Sequence, residues 1–158
     1  MLKCRLLALL LAGTAASLSG CATSSALLEA EESRTNTQTV LAFEETVFNK
    51  HRVREGFTRY VGSSFTQHDP QIEDGKEGTI KALSDLLTKV YPNSRVVVKR
   101  TVAQRNLVAV HLLWEQNPGE SRGVAVVDIF RLDNGKIVEH WQVAQPVPEA
   151  AANDNTMF

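Results

Sequence analysis

Along the chain the spacing of apolar residues changes character several times, and each change marks an element. Leu6 to Ala16 is an almost unbroken apolar stretch behind Lys3 and Arg5. Ala22 to Asn36 is mostly Ala, Ser, Thr and Glu without a strong apolar period, so it predicts a tether. A helical period begins at Thr37. Val40, Leu41, Val47 and Phe48 fall on one face, Phe43 lies at its margin, and Glu44, Glu45 and Lys50 fall elsewhere. A shorter helix uses Val53, Phe57 and Tyr60 and ends near Gly62. Ser64 to Ile72 is strand-like, stopped by Pro70 and the polar run Glu73-Asp74-Gly75. A third helix sets Ile80, Leu83, Leu87 and Val90 at core spacing and stops before Pro92.

The rest of the chain predicts strand after strand: Arg95 to Ala103, Leu107 to Gln116, Gly123 to Leu132 and Ile137 to Gln145. Beyond Pro148 the tail predicts no regular element. Helices first and an antiparallel run afterwards make an α+β fold, with the helices on one face of the sheet. The hairpin at Asp133-Asn134-Gly135-Lys136 decides where its polar residues point. A two-residue Asn-Gly loop pairs Leu132 with Ile137 and sets Asp128 opposite Trp141, on the other face from His140. A three-residue loop with Gly135 in the left-handed conformation sets Asp128 opposite His140 instead. The second register is the expectation, because it sorts the groups more coherently. Asp128, His140 and Gln142 then share a face with Val126, Phe130 and Val138, while Arg131 and Glu139 become diagonal neighbours on the other face.

The positive start and short apolar stretch have the layout of a secretory signal, too short to span a bilayer stably. The stretch ends in Leu18-Ser19-Gly20-Cys21, which resembles the lipobox of bacterial lipoproteins. That resemblance implies cleavage before Cys21 and a lipid on its thiol. A plain secretory signal with a chance cysteine is the alternative. The other cysteine, Cys4, falls inside the segment removed, so the mature part is expected to hold no disulfide and no Cys-based metal site. The expected organisation is a signal over 1–20, a tether over 21–36 and one domain over 37–158. Ala22 after the Cys, rather than Asp, points to the outer membrane facing the periplasm in a host that has one. A formal net charge of -1 argues against a nucleic-acid partner.

Five motifs carry a further resemblance: Tyr60-Val61-Gly62, Thr66-Gln67-His68-Asp69-Pro70, Asp74-Gly75-Lys76-Glu77, Val127 to Arg131, and Asn134 to Trp141. With Gln145-Pro146-Val147-Pro148 and Asn155 to Phe158, they resemble the SnoaL-like polyketide cyclases of the NTF2-like superfamily. The likeness is greatest to the branch described as predicted aldol-condensation enzymes, and it covers the chain from about Thr37 to the end. It implies a curved antiparallel sheet wrapped around helices as a cone with an apolar pocket, no metal, no cofactor, and a homodimer through the sheet. Two positions depart from the family. Its cyclases carry an acid/base Asp two residues after the His of the last strand, where this chain has Gln142, an amide that cannot shuttle a proton near neutral pH. Before the proline of the first strand the family usually has Asn, where this chain has Asp69. Steroid isomerases of the superfamily carry their base at the similar place.

The expected ligand is a small, largely apolar carbonyl compound, and the expected chemistry is proton transfer beside that carbonyl. Asp69 is the expected base, although an Asp before Pro is also a common turn cap. Asp128 and His140 form a polar pair, and a charge at Asp128 among Val126, Val127, Ile129 and Phe130 needs a partner. His68 and Gln142 are expected to orient the ligand, and Trp141 and Phe130 to line it. His111 reads as a satisfied core residue and His51 as exposed. No paired-His spacing, phosphate loop or serine elbow is present. A competing reading keeps the pocket as a binding module without catalysis.

Overall fold

Helix α1 runs from Ser19 to Glu44 in the computed structural model, which describes residues 19–158, with side chains from residue 24 onward. The expected signal and its Leu18 therefore lie outside the described residues, apart from the backbone of residues 19 and 20. The side chain of Cys21 lies outside them too. Residues 21–36, expected to be a tether, are helical. Ala, Leu and Glu favour helix intrinsically, and three contacts pin the stretch to the turn at Arg105. The Arg105 guanidinium donates to Glu29, its backbone N–H donates to Ser33 Oγ at 2.7 Å, and Asn36 Nδ2 donates to its carbonyl at 2.9 Å.

Farther along α1, Val40, Phe43 and Val47 are buried while Leu41 and Phe48 are half-buried. The apolar stripe is thus centred on Phe43, and residues 40, 44 and 47 fall one turn apart along it. Glu44, expected on the polar side, points inward. After Glu44 the helix widens into a π turn over Glu45–Asn49. Helix α2, Val53–Tyr60, packs on this turn through Gly56, where an added Cβ would stand 2.4 Å from Val47 Cγ2. Helix α3, Lys76–Asp85, also ends in a π turn, Leu86–Val90. Ile80, Leu83 and Leu87 are buried, but Val90 is 57% exposed rather than in the core. The wider turn slips the helical phase and carries Val90 off the stripe.

The strands are β1 (Val61–Gln67), β2 (Arg95–Gln104), β3 (Leu107–Glu115), β4 (Val124–Asp133) and β5 (Lys136–Pro146), ordered β1-β5-β4-β3-β2. Neighbours β2 to β5 pair antiparallel as expected, whereas β1 lies parallel to β5, so the sheet is mixed. Register shifts interrupt the β1–β5, β2–β3 and β4–β5 pairings. Such bulges bend strands, and the sheet curls around the helices. A buried apolar cluster of Phe43, Val47, Phe57, Leu112, Phe130 and Ile137, among others, joins the two layers. The irregular tail ends on the outer face of the sheet. There the Phe158 ring stacks on His111 at 5.5 Å with Lys99 Nζ 5.0 Å above it, so His111 is not a core residue.

The β4–β5 hairpin follows neither expected register throughout. Leu132 pairs with Ile137 across a two-residue loop with Asn134 at φ 49° and Gly135 at φ 72°. Val138 is then an extra residue on β5, and beyond it Asp128 pairs with Gln142 and Phe130 with His140. The bulge restores the face sharing that the loop alone would destroy. Asp128, Phe130, His140 and Gln142 face the helices together, and Arg131 lies directly opposite Glu139, bonded to it, on the other side.

Candidate functional site

Between helices and sheet lies a cavity of about 440 Å³. Its walls are mainly apolar, with Phe43, Phe57, Phe65, Leu83, Val126 and Phe130 among them. Into this lining a small set of polar groups converges. Asp128 is 3% exposed, and its Oδ1 lies 3.1 Å from His140 Nε2 and accepts from Gln142 Nε2 at 2.9 Å. His140 Nδ1 lies 3.0 Å from Gln67 Oε1, which also accepts the backbone N–H of Asp69 at 3.0 Å. That backbone donor requires the Gln67 oxygen to face this way, so Nδ1 carries a proton and donates to it. The Nε2 contact to Asp128 then needs one more proton, either on Nε2 or on the carboxyl.

Neighbouring strand ends build this arrangement. The end of β1 runs beside β5, with Gln67 paired to His140 and the His68 N–H donating to the His140 carbonyl at 3.0 Å. Alternation then turns Gln67 inward and His68 outward. His68 is accordingly not a pocket residue. It stacks on Trp141 with ring centroids 4.6 Å apart, and its Nε2 lies 2.9 Å from Glu139 Oε1. Trp141 shares that outer face, so the expectation that either touches a ligand is corrected by strand parity. Beside them, hydrogen bonds from His68 and Arg131 hold the Glu139 carboxyl below the usual carboxylate range. His51 is half-buried rather than exposed, with Nε2 donating to the Ser94 carbonyl at 2.8 Å.

Asp69, half-buried, lines the cavity. Its Oδ1 accepts the backbone N–H of Gln71 at 2.9 Å, so the turn-capping role is present. Its other oxygen accepts no hydrogen bond from the described residues. Gln142 is exposed at the rim, and Phe130 is buried in the wall.

Three groups escaped the reading of the sequence. Gln67 was legible from parity, since it follows inward Phe65 by two. Glu44 was legible from its spacing to Val40 and Val47. It lines the cavity, and both its oxygens are buried without a partner. Desolvation, with the nearby Asp128 charge second, holds its carboxyl well above the usual carboxylate range. Trp114 also lines the cavity, and its indole N–H is buried without an acceptor. Its place in an apolar strand gave no hint of that. Among the described residues no cluster of three or more His, Cys, Asp or Glu side chains is arranged to hold a metal ion.

Comparison with known proteins agrees with this architecture. A search of curated proteins returns no match. Among solved structures, a candidate SnoaL-like polyketide cyclase from Jannaschia sp. CCS1 superposes with a TM-score of 0.57 at 21% identity, covering 71% of this chain and 86% of that one. An NTF2-like protein of unknown function from Mesorhizobium loti superposes with a TM-score of 0.59 at 16% identity, covering 72% and 93%. A SnoaL-like protein of unknown function from Burkholderia thailandensis gives a TM-score of 0.59 at 16% identity, covering 71% and 95%. These likenesses establish the fold, an NTF2-like α+β cone. The model of the SnoaL-like domain matches residues 40–140, and the chain belongs to that family.

Proposed function

We propose that the cavity takes a small, largely apolar carbonyl compound and moves a proton next to its carbonyl, in a domain held at the cell envelope by a lipid on Cys21. The observation that carries the chemistry is the polar cluster of Asp128, His140 and Gln67 set into an otherwise apolar wall. Small-molecule sites combine apolar lining with a few convergent polar groups in this way. Asp69 at the cavity edge, with one carboxylate oxygen open, is the base. The Asp128–His140 pair holds a proton for the oxygen that gains charge as the adjacent C–H is broken, and Gln142 fixes Asp128. The same reading places two copies together through the outer face of the sheet, where Val127 and Val143 stand side by side and exposed.

The test is exchange of solvent deuterium into 2-tetralone, followed by NMR. The wild type should accelerate exchange, and Asp69→Asn should lose on the order of a hundredfold in rate with nearly unchanged affinity. One observation favours the second reading, a binding module without turnover. The position of the cyclase acid is held by Gln142, whose amide donates to Asp128 instead of titrating. Saturable binding of 2-tetralone with no acceleration of exchange would establish that reading and remove Asp69 as base.

A further inference from the structure

Glu44 is the last residue of α1, at the point where the helix widens into its π turn. It is 1% exposed, it lines the cavity, and neither carboxyl oxygen meets a donor. The titratable side chains sharing the cavity wall are Asp69, Tyr91, Asp128 and His140, and no Lys or Arg lines it among the described residues. A carboxylate charge buried with neither a cation nor a hydrogen-bond donor is strongly disfavoured, so the group rests as the neutral acid. A neutral acid has an O–H to give, and here no protein acceptor takes it. Buried polar groups left unpaired are rare enough to require a reason, and a place in a cavity wall supplies one.

We propose that Glu44 is the recognition group of the cavity, presenting its acid hydroxyl to the oxygen of an uncharged ligand. The inference rests on the cavity being a carbonyl pocket, and it assigns the group that reads the carbonyl. Asp128 already engages its Oδ1 with His140 and Gln142, so Glu44 adds a further donor beside that pair. Glu44 therefore discriminates an oxygen-bearing ligand from a hydrocarbon of the same shape.

The full chain is titrated with 2-tetralone and with tetralin, the same bicycle without its oxygen. Wild type should prefer 2-tetralone. Glu44→Leu should lower that preference roughly fivefold to tenfold, the loss of one hydrogen bond. Glu44→Gln keeps a donor and should retain most of it. Infrared difference spectra between wild type and Glu44→Gln should show a protonated carboxyl band at neutral pH. An unchanged preference in Glu44→Leu, or absence of the acid band, overturns the inference while the pocket stands. Failure of both probes to bind wild type overturns the pocket reading and this inference with it. Should Glu44→Leu not fold, the pH profile decides. Wild-type affinity for 2-tetralone must fall at high pH as the acid ionises, relative to Glu44→Gln, which keeps Asp69, Tyr91, Asp128 and His140 in the cavity wall. Identical profiles overturn the inference.

Discussion

Single residues in this site are governed by what their neighbours leave unpaired. The Asp69 N–H fixes the Gln67 oxygen, that oxygen fixes the proton on His140 Nδ1, and His140 then shares a second proton with Asp128. Asp128 was legible because a charge inside an apolar strand needs partners, and it has them. His68 and Trp141 were misplaced because their chemistry outweighed their parity, which points away from Gln67 and His140. Glu44 was missed because a carboxylate is normally a surface residue, and only spacing said otherwise. Its raised value makes a stability prediction with a definite sign. Below the ordinary value of 4.5 the folded and unfolded chains both carry this proton. Above it the unfolded chain ionises while the folded one does not, so stability falls as pH rises until the raised folded value is passed. The loss amounts to about 1.4 kcal/mol for each unit of difference. Chemical denaturation across pH should show that slope in wild type, and Glu44→Gln should flatten it. A wild type without the slope would mean that Glu44 is not held neutral.

At the scale of elements, local pattern was a good guide wherever an element is defined by its own residues. Strands β2 to β5 lie within a residue or so of the expected limits, because alternation and turn residues are local signals. The parallel pairing of β1 with β5 is not local, and no pattern within β1 encodes it. The hairpin shows why two sound rules disagreed. Asn134-Gly135 favours a two-residue loop, while the burial of Asp128 and His140 demands the other parity. Both rules are met, since Val138 is inserted between them. The π turn after Glu44 is likewise invisible to a regular helical period. Its packing with α2 leads to a prediction at Gly56. A Cβ there would lie 2.4 Å from Val47 Cγ2, a methyl on a fully buried residue. Val47 is stiff about its first torsion and cannot swing aside cheaply. Gly56→Ala should therefore destabilise the fold by about 1–3 kcal/mol, against a gain of about 1 kcal/mol in helix propensity. Thermal unfolding measures the net, and a rise in Tm would show that α2 does not press on the π turn.

For the whole molecule, the helical stretch over residues 21–36 changes what an anchor would do. The expectation of a tether came from composition without periodicity, and that absence is real. Leu27 and Leu28 are 71% and 69% exposed, so no apolar face is buried there. What the pattern could not reveal is that intrinsic helix preference and three polar contacts at Arg105 would hold the stretch straight. A helix from Cys21 to Asn36 rises roughly 22 Å. With a lipid on Cys21, it would carry the cavity at a set distance from the membrane surface instead of letting it wander. No helix among the described residues is long and apolar enough to cross a membrane, and the proposed reading assigns retention to the lipid on Cys21. Cys21→Ser should therefore leave the membrane fraction and lose its acyl chain. Its affinity for 2-tetralone should stay as in wild type, since residue 21 is far along the helix from the cavity wall at Phe43 and Glu44. Fractionation of expressing cells, with mass spectrometry of the purified protein, checks both halves. A Cys21→Ser protein that stays lipid-modified and sediments with membranes would put the anchor elsewhere. Loss of binding in a soluble variant would instead show that the helix transmits its placement to the pocket.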